Sequence, residues 1–167
     1  MAPENRAKQA GSTLAFIHGL DSSSRAAKGA FFRERYPRMI VEDFVGTFEE
    51  RMAKLETLLA DKDDLTLVGS SLGGLMAAVY SCRHREKIAR LILLAPALNH
   101  LPPAMCRDLK LDFPVVIYQG NRDNVVPPGP VHDMALNIFT NLTYHLVEDD
   151  HSLHDTFFTL AWDDLLS

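Results

Sequence analysis

The sequence predicts an α/β fold in which helices cover both faces of a parallel sheet, giving a three-layer α/β/α sandwich. Short apolar runs alternate along the chain with longer amphipathic stretches, and turn residues separate them. The apolar runs are continuous, as in strands buried on both faces. A chain of 167 residues suits one domain. We expect residues 1–11 to form a flexible tail and 12–167 the domain.

Six apolar runs of about the length of a strand follow one another along the chain. The expected strands lie at 13–17, within 38–44, and at 65–68, 89–94, 115–118 and 142–147. The expected helices lie at 24–36, 47–60, 72–84, 130–139 and 153–166. Thr47 with Glu50 three residues later predicts a capping box at the start of the second helix. The longest irregular stretch, 96–113, follows the fourth strand, where long loops are often functional.

Composition excludes several classes of protein. The formal net charge is −5 and the sequence pI is about 5.8, which argues against nucleic-acid binding because phosphate neutralisation needs a basic face. No apolar run approaches the ~18 residues of a membrane span, and the N-terminus lacks the apolar core of a secretory signal. Cys82 and Cys106 have no metal-type spacing and favour unpaired thiols in a reducing compartment. We expect a cytoplasmic protein.

The glycine-rich segment 69–74, GSSLGG, joins the third strand directly to a helix. It matches G-x-S-x-G in the strand–turn–helix context that gives this motif its meaning. The central serine occupies a strained turn, and side chains two residues before and after it would clash with neighbouring backbone. Gly69 and Gly73 flank Ser71 at this spacing, whereas no glycines flank Ser70 in the same way. Ser71 is therefore the candidate nucleophile.

Other motifs fit this segment less well. A dinucleotide fingerprint needs a glycine where Ser71 stands, and a P-loop needs Lys and Ser or Thr where Leu75 follows Gly74. A plain tight turn between strand and helix is the remaining alternative. Ser71 would lie at a helix N-terminus, where unpaired N–H groups favour developing negative charge. The N–H of Leu72 is the first candidate for an oxyanion hole.

Five segments, in this order, resemble the α/β-hydrolase superfamily: FIHGLDSS, LVGSSLGG, LLAP, GNRDNVVP and EDDHSL. Within it, HGLDSSSRAAKG resembles short, lidless bacterial esterases of the YqiA-like group. The resemblance implies a minimal α/β-hydrolase fold that starts at the strand carrying the oxyanion loop. It implies about six parallel strands in the order 2-1-3-4-5-6, with the site where the order reverses.

The resemblance also implies the other site residues. Asp123, in GNRDNVVP, would be the acid, although an Asx-turn is an alternative for this aspartate. His151, in EDDHSL, would be the base, with His154 as its serious rival. The N–H of Leu20 would complete the oxyanion hole, and His18 would brace that loop by hydrogen bonding.

These roles predict a serine hydrolase that cleaves esters or thioesters of short to medium acyl chains through an acyl-enzyme, with no metal or cofactor. The loop 97–112 stands where larger members carry a lid, so we expect an open site. Leu101, Pro102 and Met105 are candidates for the acyl pocket, unless they only cover the sheet edge. A non-catalytic binding protein and an amidase or peptidase with the same triad are the alternatives. The sequence leaves the oligomeric state open.

Overall fold

One six-stranded sheet organises the protein, and the computed structural model describes residues 11–102, 104–106 and 108–167. Apart from Gly11, the predicted tail lies outside the described residues. The strands are β1 (Thr13–Ile17), β2 (Ile40–Val41), β3 (Leu65–Ser70), β4 (Ile88–Leu94), β5 (Val115–Gly120) and β6 (Leu142–Val147). They pair in parallel in the order β2-β1-β3-β4-β5-β6, which confirms the predicted fold class and strand order.

Helices cover both faces of this sheet. They are α1 (Ala27–Arg35), α2 (Phe48–Leu59), α3 (Leu72–Arg83), α4 (Pro128–Ile138), α5 (His154–Phe157) and α6 (Trp162–Leu165). Successive side chains of a strand point to opposite faces, so β4 feeds two cores. Leu91 and Leu93 pack on the face covered by α2, α3 and α4. Ile92 and Leu94 pack on the face covered by α1, α5 and α6.

The start of α2 has the predicted capping box. The Thr47 hydroxyl accepts the N–H of Glu50, and the Glu50 carboxylate accepts the N–H of Thr47 at 2.7 Å. Two N–H groups that a helix start leaves without partners are thereby satisfied. This fixes where α2 begins, and its apolar residues Met52, Leu55 and Leu59 then face the sheet.

The single final helix predicted at 153–166 is wrong, because the chain forms the two four-residue helices α5 and α6. Side chains take carbonyls that a continuous helix would use. The Trp162 indole N–H donates to the carbonyl of Phe157 at 2.9 Å, and the Thr159 hydroxyl donates to that of Thr156 at 2.7 Å. Such bonds compete with the helical ladder. The break lets Trp162 pack against Phe32 in the aromatic core, with ring centres 4.8 Å apart.

The expectation of two unpaired cysteines is also wrong. Cys82, near the end of α3, forms a disulfide with Cys106 in the loop after β4, 24 residues away. The loop folds back onto the helix, which the spacing of the two residues in the sequence could not reveal. The pairing removes the argument that these cysteines made for a reducing compartment. In the part of the chain described, no helix has the length and apolar character needed to cross a bilayer.

We predict that Thr47→Ala lowers the free energy of unfolding by about 1 kcal/mol, because it removes the side-chain acceptor of the capping box. Urea denaturation followed by circular dichroism measures this change. Thr57→Ala, an exposed position within the same helix, is the matched control and should be neutral or slightly stabilising, since alanine is the better helix former. Equal losses in the two variants would contradict the assigned role of the cap.

Candidate active site

Ser71 occupies the turn between β3 and α3 with a backbone that few non-glycine residues adopt. Its φ is 54° and its ψ is −115°. The N–H of Ser71 donates to the carbonyl of Leu94 at 2.9 Å, and its own carbonyl accepts the N–H of Ala97 at 3.0 Å. These bonds hold the turn to the end of the neighbouring strand β4. The Ser71 side chain therefore stands at the carboxyl edge of the sheet, where the strand order reverses.

The two glycines that flank Ser71 fit only because they lack side chains. A Cβ atom added at Gly69 would lie 2.5 Å from the carbonyl oxygen of Gly73 and 2.7 Å from the Cα of Gly74. One added at Gly73 would collide with the carbonyl oxygen of Ile17. The turn is thus pressed against its own helix and against β1, which is the physical reason for the spacing of the motif.

Three side chains that are far apart in the sequence meet beside this turn. The Oγ atom of Ser71 lies 3.0 Å from Nε2 of His151, and Nδ1 of His151 lies 2.8 Å from Oδ2 of Asp123. Because the carboxylate can only accept, Nδ1 carries the proton and the neutral Nε2 is free to accept the hydroxyl proton. The Asp123 side chain is fully buried, whereas the His151 side chain keeps 23% of its surface exposed.

Four donors surround the carboxylate of Asp123. Oδ1 accepts the backbone N–H groups of Val125 and Val126, at 2.9 and 2.8 Å. Oδ2 accepts the Gln119 amide at 2.8 Å as well as the imidazole of His151. Buried charge is tolerated only when it is bonded in this way, and the bonds also fix the orientation of the carboxylate. The bonds from Val125 and Val126 are those of the Asx-turn alternative, and the bond from His151 is the one expected of the acid. Asp123 makes both kinds of contact.

Gln119 is a residue that the sequence reasoning missed. It is fully buried in β5, and its Nε2 also donates to the carbonyl of Val126 at 3.2 Å. Both neighbours are acceptors, so the amide nitrogen must face them. The sequence feature that indicates this role is a polar residue in an otherwise apolar strand, four positions before Asp123. Gln119 positions the acid and does not touch Ser71 or His151 in the described contacts.

Asp149 ties together the loop that carries His151. Oδ1 accepts the N–H of Asp150 at 2.8 Å, and Oδ2 accepts those of Asp155 and Thr156 at 3.1 and 2.8 Å. Burial by itself would raise the pKa of Asp149, but the bonds from Thr156, Asp150 and Asp155 outweigh it and lower the pKa. Asp149 therefore acts as a loop cap in its charged form.

The loop after β1 approaches Ser71 through a glycine. A Cβ atom added at Gly19 would lie 3.3 Å from the Cβ of Ser71. His18 braces this loop, since its Nε2 accepts the N–H of Phe44 at 2.8 Å and its Nδ1 donates to the carbonyl of Gly19 at 2.7 Å. That carbonyl shares a peptide unit with the N–H of Leu20, so the bond from His18 orients and polarises this N–H.

Two backbone N–H groups near Ser71 remain available to a ligand. Among the described residues, neither the N–H of Leu20 nor that of Leu72 has a hydrogen-bond acceptor. Leu72 is the first residue of α3, and a helix has no internal acceptor for that group. The structure therefore leaves both predicted oxyanion donors unpaired at the turn, with the positive end of the α3 dipole behind Leu72.

A cavity of about 610 Å³ opens over the Ser71 hydroxyl. Its walls come from the loop after β1, the start of α1, the loop after β5 that carries Asp123, and α5. The lining is mostly apolar and includes Leu20, Ala26, Ala27, Leu72, Ala97, Val125, Val126, Phe157 and Phe158. Arg51 supports one wall from behind, with a guanidinium N–H donating to the carbonyl of the lining residue Leu20 at 3.5 Å.

Leu101, Pro102 and Met105, the residues predicted for the acyl pocket, do not line this cavity. Leu101 is buried in the core between the sheet and its helices, and Met105 packs against the same core. Leu101 and Pro102 border a different cavity of about 300 Å³ beside α4. The disulfide between Cys106 and Cys82 ties this part of the loop to α3. Leu101 and Met105 therefore pack as the alternative of core coverage expects, whereas Pro102 is exposed.

The other histidines hold no comparable position. His100 and His154 lie on the cavity wall without a bond to Ser71 or Asp123, while His132 and His145 pack against Tyr144 and Tyr118. Within residues 11–102, 104–106 and 108–167, no group of three or more His, Cys, Asp or Glu side chains is arranged to hold a metal ion.

Known proteins resemble this chain in sequence pattern and fold. The family described as "alpha/beta hydrolase fold" matches residues 18–113. The mouse alpha/beta hydrolase domain-containing protein 10 superposes with a TM-score of 0.76 at 17% identity, covering 92% of this chain and 89% of its own. A predicted CIB-like hydrolase from Thermoplasma acidophilum gives 0.73 at 16%, covering 99% and 89%. A monoacylglycerol lipase from Paleococcus ferrophilus gives 0.65 at 15%, covering 93% and 96%.

At these identities the structural likeness shows a shared fold. No curated protein sequence matches the chain. The family match covers the loop after β1, the Ser71 turn and β4, and the match to the Thermoplasma acidophilum hydrolase extends over the loops of Asp123 and His151 as well.

We predict that Asp149→Asn costs roughly 1.5–3 kcal/mol of unfolding free energy at pH 7, because the amide cannot replace a charged acceptor of three N–H groups. The pKa of Asp149 is lower in the folded protein than its unfolded value of about 3.9. The carboxylate therefore stabilises the fold fully above pH values near 3.9, and this stabilisation is lost as the pH falls through the folded pKa. The difference from the parent protein should therefore shrink below about pH 4 in urea titrations. Asp133→Asn, on the exposed side of α4, is the control. A difference that does not vary with pH would contradict this assignment.

We predict that Gln119→Leu lowers kcat/KM for hydrolysis roughly 10- to 100-fold, the equivalent of one lost bond to a charged group. The reason is that Asp123 loses a donor and a fixed orientation. Gln119→Glu should be worse, since it places a second carboxylate against the first. The measurement is kcat/KM as a function of pH. A substitution that only reduced the amount of folded protein would lower kcat/KM without altering the shape of its pH profile.

Proposed function

The chain belongs to the α/β-hydrolase fold family, and on that premise we propose that it is a serine hydrolase of carboxylic esters or thioesters with short to medium acyl chains. The observation that carries the proposal is the relay from the Ser71 hydroxyl through His151 to the buried Asp123, with distances of 3.0 and 2.8 Å. The family match and the lipase among the structural relatives support a hydrolase acting on esters.

In the first half-reaction, His151 Nε2 takes the proton of Ser71 as Oγ attacks the acyl carbonyl. Asp123 keeps the proton of the imidazole on Nδ1 and stabilises the cation that forms. The N–H groups of Leu20 and Leu72 bind the oxyanion. The bond to the alcohol or thiol then breaks, the leaving group takes the proton from Nε2, and the acyl group remains on Oγ.

In the second half-reaction, water replaces the alcohol or thiol. His151 takes a proton from the water as its oxygen attacks the acyl-enzyme, and the same two N–H groups bind the second oxyanion. Collapse releases the acid, and the proton returns to Ser71. The partly exposed imidazole suits this step, because water must reach it from the cavity.

The apolar walls of the cavity determine which acyl groups fit. Val125 and Phe158 are both exposed at the cavity, and Leu20 is 59% exposed, so the walls offer apolar surface without full enclosure. Such a groove favours short to medium chains over long ones. The acyl pocket is accordingly assigned to the α1 and α5 side of Ser71.

The alternatives are a binding protein that keeps the fold without catalysis, and an amidase or peptidase that uses the same residues. Both oxyanion donors are unpaired and His151 is within reach of Ser71, which favours catalysis. The amine of an amide leaves less readily than the alcohol of an ester, so an amidase demands a better-placed proton donor. Among the described residues, His151 contacts Asp123 and Ser71 and gains no further donor.

We predict that Ser71→Ala reduces kcat on para-nitrophenyl butyrate by on the order of 10⁴-fold or to background, because the attacking atom is removed. Ser70→Ala is the matched control, since it removes the neighbouring hydroxyl and leaves Ser71 in place. A panel of para-nitrophenyl esters, acyl thioesters and aminoacyl anilides then ranks the substrate classes. Equal activity of the Ser71 variant and the parent protein would contradict the proposal.

A further inference from the structure

Lys28 brings a positive charge into the wall of the catalytic cavity. It lies in the first turn of α1 and lines the cavity together with Ser71 and His151. Of the residues lining this cavity in the described structure, it is the one Lys or Arg. Its Nζ donates to the carbonyl of Ser152 at 2.5 Å, so the ammonium stands one residue away from the catalytic base.

The charge of Lys28 is only partly compensated. An ammonium has three N–H donors, and among the described residues one of them has an acceptor. No carboxylate within the described parts of the chain lies within 4.0 Å of Nζ. The ring of Phe157 adds a weak attraction, with Nζ 5.5 Å from its centre.

Burial lowers the pKa of Lys28, and the more distant charges of Asp149 and Asp150 oppose this without cancelling it. A half-buried cation in an apolar cleft is costly unless something pairs with it. Perturbed groups of this kind cluster at functional sites.

Three other ionisable side chains of the cavity, Asp21, His100 and His154, are exposed to water. Solvent screens the charge of Asp21.

We propose that Lys28 binds an anionic group of the substrate, a carboxylate or a phosphate, so that the protein prefers esters or thioesters with negative charge in one half of the molecule. The inference rests on the proposed function and specifies its substrate class. The anion would complete the donors of Nζ and offset the cost of its burial, while the neutral remainder of the acyl group lies on the apolar walls.

Two pairs of esters test this proposal and distinguish the half that carries the charge. The acyl pair is the para-nitrophenyl monoester of adipic acid and its methyl-capped neutral form. The alcohol pair is para-butyryloxybenzoate and its methyl ester. In each pair we compare kcat/KM for the charged and the neutral member. The parent protein should favour the charged member of one pair, and Lys28→Met should lower that charged-to-neutral ratio about 10-fold. Lys28→Arg should keep most of the ratio.

Lys54→Met is the matched control. Lys54 also donates to a backbone carbonyl, that of Asp43 at 2.5 Å, and lies 5.7 Å from the ring centre of Phe44, but it does not line the cavity. Its loss should leave both ratios unchanged.

Two results would overturn the inference while the proposed function stands. One is a parent protein that favours the charged member of neither pair. The other is an unchanged charged-to-neutral ratio in Lys28→Met, and an equal fall in kcat/KM for the two members would then assign Lys28 only to support of the His151 loop. Failure of the parent protein to turn over any of the four esters would overturn the proposed function, and this inference with it.

Discussion

The whole site depends on one strained residue, Ser71, held at a positive φ by close backbone packing. Gly69 packs against the first turn of α3, and Gly73 packs against the end of β1. Hydrogen bonds to Leu94 and Ala97 fix the same turn to β4. Strain of this kind persists only where the surroundings over-determine it. Here three strands and a helix do so, and they place the hydroxyl at the point where the strand order reverses.

The partners of Ser71 reach it through loops that are fastened to each other. The N–H of Arg122, in the loop after β5, donates to the carbonyl of Asp149, in the loop after β6, at 3.0 Å. Gln119 fixes Asp123 from the strand below, and Asp149 fixes the chain around His151. On the opposite side, His18 orients the peptide that carries the N–H of Leu20. Each group that we propose to react is thus supported by a buried polar contact that fixes its orientation.

Local pattern predicted the parts of the structure that depend on local interactions. Continuous apolar runs predicted the strands, and Thr47 with Glu50 predicted the start of α2. The order of the motifs, through a family resemblance, predicted the sheet order and which side chains meet at Ser71. Contacts between distant segments could not be predicted from local pattern. The indole of Trp162 divides the last helix, Cys106 pairs with Cys82, and the cavity over Ser71 forms against Phe157 and not Leu101. Gln119 and Lys28 have roles that only tertiary contacts define.

The central claim is that the fold, and not the serine alone, makes Ser71 a nucleophile. It is tested most directly by treating the folded protein and the urea-unfolded protein with a fluorophosphonate, followed by peptide mapping by mass spectrometry. We expect one phosphonylated residue, Ser71, in the folded protein and none in the unfolded chain. Modification of another residue, or equal modification in both states, would contradict it.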